Sequence, residues 1–168
     1  NTSPQETQIA PLINYTGYRR NGIGYMKASP DGTKIALAHR QNGNTEGQTA
    51  NATGSVWIYD FDNSSGTLSN PSNLLPDSGP YGLEFSPDSS KLYVSNDSSV
   101  IQFDLFSPSP SNSLVYIHTN PFNPVQNRVP FIGALQLGPD GRIYIANTDD
   151  YNSLDVINEP NELGVNSD

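Results

Sequence analysis

The chain has 168 residues, the size of one ordinary domain, and its 34% apolar and 10% aromatic content is enough to build a core. Eight Lys and Arg against 17 Asp and Glu give a net charge of −9, which would repel a phosphate backbone or an acidic lipid surface and argues against nucleic-acid binding. The absence of cysteine excludes disulfides, thiolate metal sites, iron–sulfur clusters and thiol nucleophiles together. No stretch approaches the roughly 20 apolar residues of a membrane span, so membrane insertion is not expected. The polar start Asn1-Thr2-Ser3-Pro4-Gln5 does not read as a signal peptide, and the chain is expected to be mature or a fragment.

In chain order, Gln8–Ile13 is expected to be the outer strand of a preceding unit. Gly24–Ala28 then forms a short strand that runs into the turn Ser29-Pro30-Asp31-Gly32 and out along the alternating strand Lys34–His39. A third strand is expected at Ser55–Phe61 and a weak fourth around Leu74-Leu75. The pattern returns with Tyr81–Phe85, the turn Ser86-Pro87-Asp88-Ser89 and the strand from Lys91 to Asn96, followed by Val100–Leu105 and Leu114–His118. It returns again with Ile132–Leu137, Gly138-Pro139-Asp140-Gly141, the strand from Arg142 to Asn147, and Leu154–Ile157. Each turn has a mechanism: Pro presets φ, Asp caps through its side chain, and Gly or a small residue tolerates positive φ. No stretch has helical periodicity, so helix is expected to be near zero.

The turns begin at residues 29, 86 and 138, a recurrence close to the roughly 40 to 50 residues of a β-propeller blade. The fold class read from this is all-β, a β-propeller fragment of about three four-stranded antiparallel blades. Residues 1–22 would be the end of a preceding blade and a linker, 23–79 and 80–130 two blades, and 131–168 an incomplete one. Three blades cannot close a ring, so the remaining blades of a larger protein are expected partners, and the isolated chain is expected to associate through open apolar faces and strand edges. The competing architecture is a three-sheet sandwich that reuses a common turn.

With Ile23–Gly32, Trp57–Asp62, Tyr81–Asp88, Ile132–Tyr144 and Val156–Asn161 in view, most of the chain resembles the propeller region of large secreted proteins of the Bacteroidota. These often carry polycystic-kidney-disease-like repeats and a type IX secretion signal. More loosely the chain is similar to the lactonase-like seven-bladed propellers. The resemblance implies export to the cell surface or medium and no defined activity. It also departs from the pattern: Val165-Asn166-Ser167 stands where such proteins commonly carry a cysteine, so any disulfide of the family has no counterpart here.

No Gly-x-Ser-x-Gly elbow, phosphate loop or His-Glu-x-x-His helix is present. His39 closes a second strand and His118 sits in an outer one, so a shared catalytic site is not expected. His39, Asn96 and Asn147 each close the second strand of their blade, and polar side chains there could hold a hard cation such as Ca²⁺. The lactonase-like resemblance implies ligands on this kind of loop. The plainer reading is that Asn ends strands well. Asp60–Gly66 spaces oxygens like a calcium loop but lacks the downstream Glu, and reads as a hairpin turn. The glycosylation-type triplets at Asn14, Asn51, Asn63 and Asn96 are what chance produces in so Asn-rich a chain. Glu84 interrupts an apolar strand, facing either inward or to the exposed side.

Arg19, Arg20 and Arg128 precede first strands, and with Tyr25, Tyr81 and Phe131 could form an aromatic and cationic surface for a sugar or acidic ligand. Packing between blades is the alternative role for those aromatics. The leading functional expectation is a non-catalytic extracellular segment for binding, adhesion or display, with carbohydrate or another surface protein as partner and no cofactor beyond possible Ca²⁺. The alternatives are a metal-dependent lactonase-like hydrolase and a purely architectural filament or adhesin spacer.

Overall fold

A computed structural model describes residues 23–40, 54–148 and 152–167. Arg19, Arg20, the segment Gln8–Ile13, Asn14 and Asn51 lie outside them. The first sheet holds β1 (Gly24–Ala28), β2 (Lys34–His39), β3 (Gly54–Asp62) and β4 (Thr67–Ser78). The second holds β5 (Pro80–Phe85), β6 (Lys91–Asn96), β7 (Ser99–Asp104) and β8 (Val115–Thr119). The third holds β9 (Ile132–Leu137), β10 (Ile143–Asn147) and β11 (Asp155–Ile157). Within each sheet the strands lie in sequence order and pair antiparallel. β1 and β2 pack on β5, and β5 and β6 pack on β9, so the sheets stand face to face with their innermost strands adjacent. These are three consecutive propeller-type blades, the last incomplete. The helical content among the described residues is two 3-10 turns, Pro110–Asn112 and Gly164–Ser167.

The repeated turn forms by the mechanism its residues imply. Ser29 Oγ bonds the Asp31 carboxylate and accepts Lys34 N at 3.0 Å, while Asp31 Oδ1 accepts Thr33 N at 3.0 Å. Ser86 and Asp88 repeat this set with Lys91 N and Ser90 N, both at 2.9 Å. The fourth turn position has φ of 70° at Gly32, 63° at Ser89 and 81° at Gly141. Ser89 accepts that backbone conformation because its Oγ takes Asp31 N of the first blade at 3.1 Å, an inter-blade bond that glycine could not make.

One strand departs from expectation. β4 is 12 residues long rather than a weak strand around Leu74-Leu75, and it pairs with β3 from Thr67 to Ser78 through three register shifts. Being outermost, it pairs along one edge alone, which tolerates Pro71 and Pro76 and a polar composition that hides it in the sequence. In the third blade no fourth strand joins β11 among the described residues. After β11 the chain crosses to the second blade instead: Tyr93 Oη donates to Pro160 O at 3.0 Å, Gln102 Nε2 to Glu162 O at 2.8 Å, and Gly164 N to Gln102 Oε1 at 2.8 Å.

Strand alternation divides the core into two layers. Between blades one and two lie Ala36, Ala38, Val56 and Ile58 against Phe85, Leu92, Val94, Ile101 and Phe103. Between blades two and three lie Tyr93 and Val100 against Ile132, Leu135, Ile143, Ile145 and Ile157. At the inner strands two devices hold the blades close. A Cβ on Gly82 would stand 2.7 Å from Gly133 O, so only glycine lets β5 approach β9 there, and Ser95 Oγ donates to the same oxygen at 2.7 Å. Lys27, Glu84 and Gln136, each two residues before its turn, link all three blades. Lys27 Nζ donates to Glu84 Oε2 at 2.8 Å and Gln136 Oε1 at 2.9 Å, and Glu84 Oε2 also accepts Leu137 N at 2.9 Å. Glu84 therefore faces inward and is buried.

Candidate functional site

The starts of the innermost strands and the ends of the second strands share one edge of the blades, because Tyr25 pairs with Ala38, Pro80 with Asn96 and Ile132 with Asn147. At this edge one aromatic from each blade meets the next. The rings of Tyr25 and Tyr81 are 5.5 Å apart and tilted by 59°, and those of Tyr81 and Phe131 are 6.1 Å apart and nearly edge-on at 72°. All three are half-buried, so they pack on one another and still offer surface.

Among the described residues, the cation over these rings is Arg40. Its guanidinium carbon lies 4.8 Å from the Phe131 centroid and 5.9 Å from that of Tyr81, within cation–π range. One guanidinium nitrogen, Nη2, donates to Asp97 Oδ1 at 3.0 Å, and the backbone fixes both partners: Arg40 N donates to Ile23 O at 3.1 Å, and Asp97 O accepts Ile132 N at 2.7 Å. Arg128, in contrast, is exposed, with Nε donating to Gln126 Oε1 at 2.8 Å and Nη2 to Thr148 O, just after β10, at 3.5 Å. Arg40 and Asp97 directly follow His39 and Asn96, so reading the repeat one column further along finds the pair.

The three strand-end polar residues sit in different layers. His39 is buried on the face of β2 that it shares with Ile35 and Leu37, away from the core alanines Ala36 and Ala38. Asn96 falls on the side of Val94, toward the first blade, and Asn147 on the side of Ile145, toward the second. Asn147 Nδ2 donates to Asp155 Oδ2 at 2.7 Å, and its Oδ1 accepts Asn120 Nδ2 at 3.1 Å. Among the described residues no three His, Asp or Glu side chains gather as metal ligands would.

Asp60–Gly66 is a hairpin connection, with Gly66 at φ 73°. Its carboxylates are engaged. Asn70 and Lys34, each donating to Asp60 at 2.8 Å, hold that carboxyl below the usual range. Hydrogen bonds from Ser64 and Ser65 pull the exposed Asp62 down to about 2.

No protein-family model and no curated protein matches the sequence. Among solved structures the chain is similar to the hydrazine synthase of Kuenenia stuttgartiensis, at 22% identity and a TM-score of 0.48 over 81% of this chain and 45% of that one. It is similar to the periplasmic gluconolactonase of Pseudomonas aeruginosa at 20% identity and a TM-score of 0.48, over 83% and 42% of the two chains. A protein from Lactobacillus plantarum matches at 18% identity and a TM-score of 0.47, over 84% and 43%. The chain thus spans less than half the length of each of these relatives, and likeness at this level carries nothing about activity.

Proposed function

We propose that the chain is a non-catalytic binding segment of a larger exported surface protein, and that it takes carbohydrate on the surface made by Tyr25, Tyr81, Phe131 and Arg40. The observation that carries this reading is the convergence of one half-buried aromatic from each of three blades beside the Arg40 guanidinium. Aromatic rings supply flat apolar faces for sugar rings, and a guanidinium with donors left beyond Asp97 supplies hydrogen bonds to hydroxyls or a uronate. The sequence offers no Gly-x-Ser-x-Gly elbow and no His-Glu-x-x-His helix, which supports the binding reading. Export rests on the resemblance of segments such as Ile132–Tyr144 and Val156–Asn161 to secreted surface propellers, and the remaining blades of that protein are the expected neighbours of the first and third sheets.

Calorimetric titration with a panel of neutral and uronate-containing oligosaccharides tests this reading. Saturable binding is expected for at least one member, weakened roughly tenfold by Arg40→Gln and by Tyr81→Ala while both variants keep their cooperative melt. Absence of saturable binding across the panel, or equal affinity in the variants, would overturn it.

A further inference from the structure

A cleft of about 480 Å³ opens between the second and third blades, reaching from innermost β9 out to β8 and β11, and it shares no lining residue with the aromatic surface. Its size is that of a small-molecule site. One wall is aliphatic, made by Ile117 of β8, Ile132 of β9, Ile145 of β10 and Ile157 of β11. The other is a chain of polar side chains, His118, Asn120, Asn147 and Asp155. Among its described lining residues there is no Lys or Arg and no aromatic ring other than the imidazole.

The hydrogen bonds of the polar wall fix its direction. Asn120 is 6% exposed and its amide orientation is set by Pro130 O, which accepts Nδ2 at 3.1 Å. The same nitrogen donates to Asn147 Oδ1 at 3.1 Å, so Asn120 Oδ1 is the acceptor that faces His118 Nε2 at 2.9 Å. His118 must then carry its proton on Nε2, and in the neutral ring Nδ1 presents a lone pair. At the far end Asn147 Nδ2 donates to one oxygen of Asp155, Oδ2, at 2.7 Å. The two amides thus use up their donors on each other, Pro130 O and Asp155, and what the rim offers a ligand is acceptor capacity and negative charge. A matching ligand brings donors and positive charge on a body that suits branched aliphatic walls. The net charge of −9 favours the approach of such a cation.

We propose that this inter-blade cleft binds a small aliphatic ammonium, with its alkyl body against Ile117, Ile132 and Ile145 and its charged head between Asp155 and His118 Nδ1. The free amine and the lysine side chain of a peptide share this chemistry. The test is methyl-detected NMR titration of the full chain with n-hexylammonium, with n-hexanol as the neutral body and Nα-acetyl-lysine methylamide as the peptide-borne form. Saturable shifts of the Ile117, Ile132 and Ile145 methyls are expected, with n-hexylammonium bound roughly fivefold tighter than n-hexanol, and with Asp155→Asn removing that difference while leaving n-hexanol unchanged. Equal affinity for the two in the unmodified protein would overturn the proposal without recourse to any variant, as would shifts that do not saturate or that fall outside the cleft. Tighter binding of the lysine derivative than of n-hexylammonium would assign the site to lysine side chains; the reverse would assign it to free amines.

Discussion

The two inter-blade layers solve the same packing problem differently. Between blades one and two, small Ala36 and Ala38 face large Phe85 and Phe103, and the outer gap that remains, beside Lys34 and Asp60, is about 220 Å³. Between blades two and three, Tyr93 and Val100 face Leu135 and four isoleucines, a crossing segment is pinned to Tyr93 and Gln102, and a gap of about 480 Å³ lies between the blades. Blades splay apart with distance from the axis, so the outer wedge has to be filled by side chains or left open. Of these two gaps, the one in the first layer is the smaller.

The sharpest way to break that contrast is truncation of one large side chain in each layer. Phe103→Ala should cost about 4 kcal/mol and Ile145→Ala about 2 kcal/mol, because the second site already borders open space and loses fewer contacts. Equal losses in urea denaturation would erase the distinction. At the inner strands, where both layers are tight, Gly82→Ala must push Gly133 O back and should cost about 3 kcal/mol, detectable as a lowered melting temperature. Glu84→Ala strips the acceptor from Lys27 and from Leu137 N, and should cost about 2 kcal/mol, below the range for fully buried pairs because Lys27 retains water and Gln136.

Acid gives the smallest and broadest effect. Burial raises the Asp31 and Asp88 carboxyls, but hydrogen bonds from their turn serines and backbone outweigh it, and both end below the ordinary value of 3.8, as do Asp60, Asp62 and Asp140. A depressed folded-state value stabilises the ionised form, so this contribution is present above about pH 4 and fades as pH falls through the folded values, about 2 for Asp62. Thermal melts should therefore be flat in this contribution near neutrality and decline below pH 4. Asp31→Asn should reduce the decline, and an unchanged acid profile in that variant would contradict the role of the turn carboxylates.

Much of this was legible in the repeat, because the turn couples three constraints, a fixed φ, a capping carboxylate and a positive φ, in four residues. Strands next to it, from β1–β2 to β9–β10, follow directly. β4 was obscured because an outer strand needs neither alternation nor freedom from proline. Glu84 could not be oriented from alternation alone, since both faces of an inner blade strand meet other blades. The aromatic trio was visible because Tyr25, Tyr81 and Phe131 each stand at the opening of an innermost strand. Of the arginines expected there from sequence, Arg19 and Arg20 lie outside the described residues and Arg128 bonds away from the rings, whereas Arg40 follows the end of β2, the strand paired to β1.

The most direct test of recognition at the aromatic edge is a ring-selective NMR titration with an oligosaccharide identified by the binding panel. Shifts are expected in the ring signals of Tyr25, Tyr81 and Phe131 and in the side-chain signals of Arg40, with the methyls of Ile117 and Ile145 in the cleft unmoved. Saturating shifts confined to the cleft, with the three rings and Arg40 silent, would contradict it.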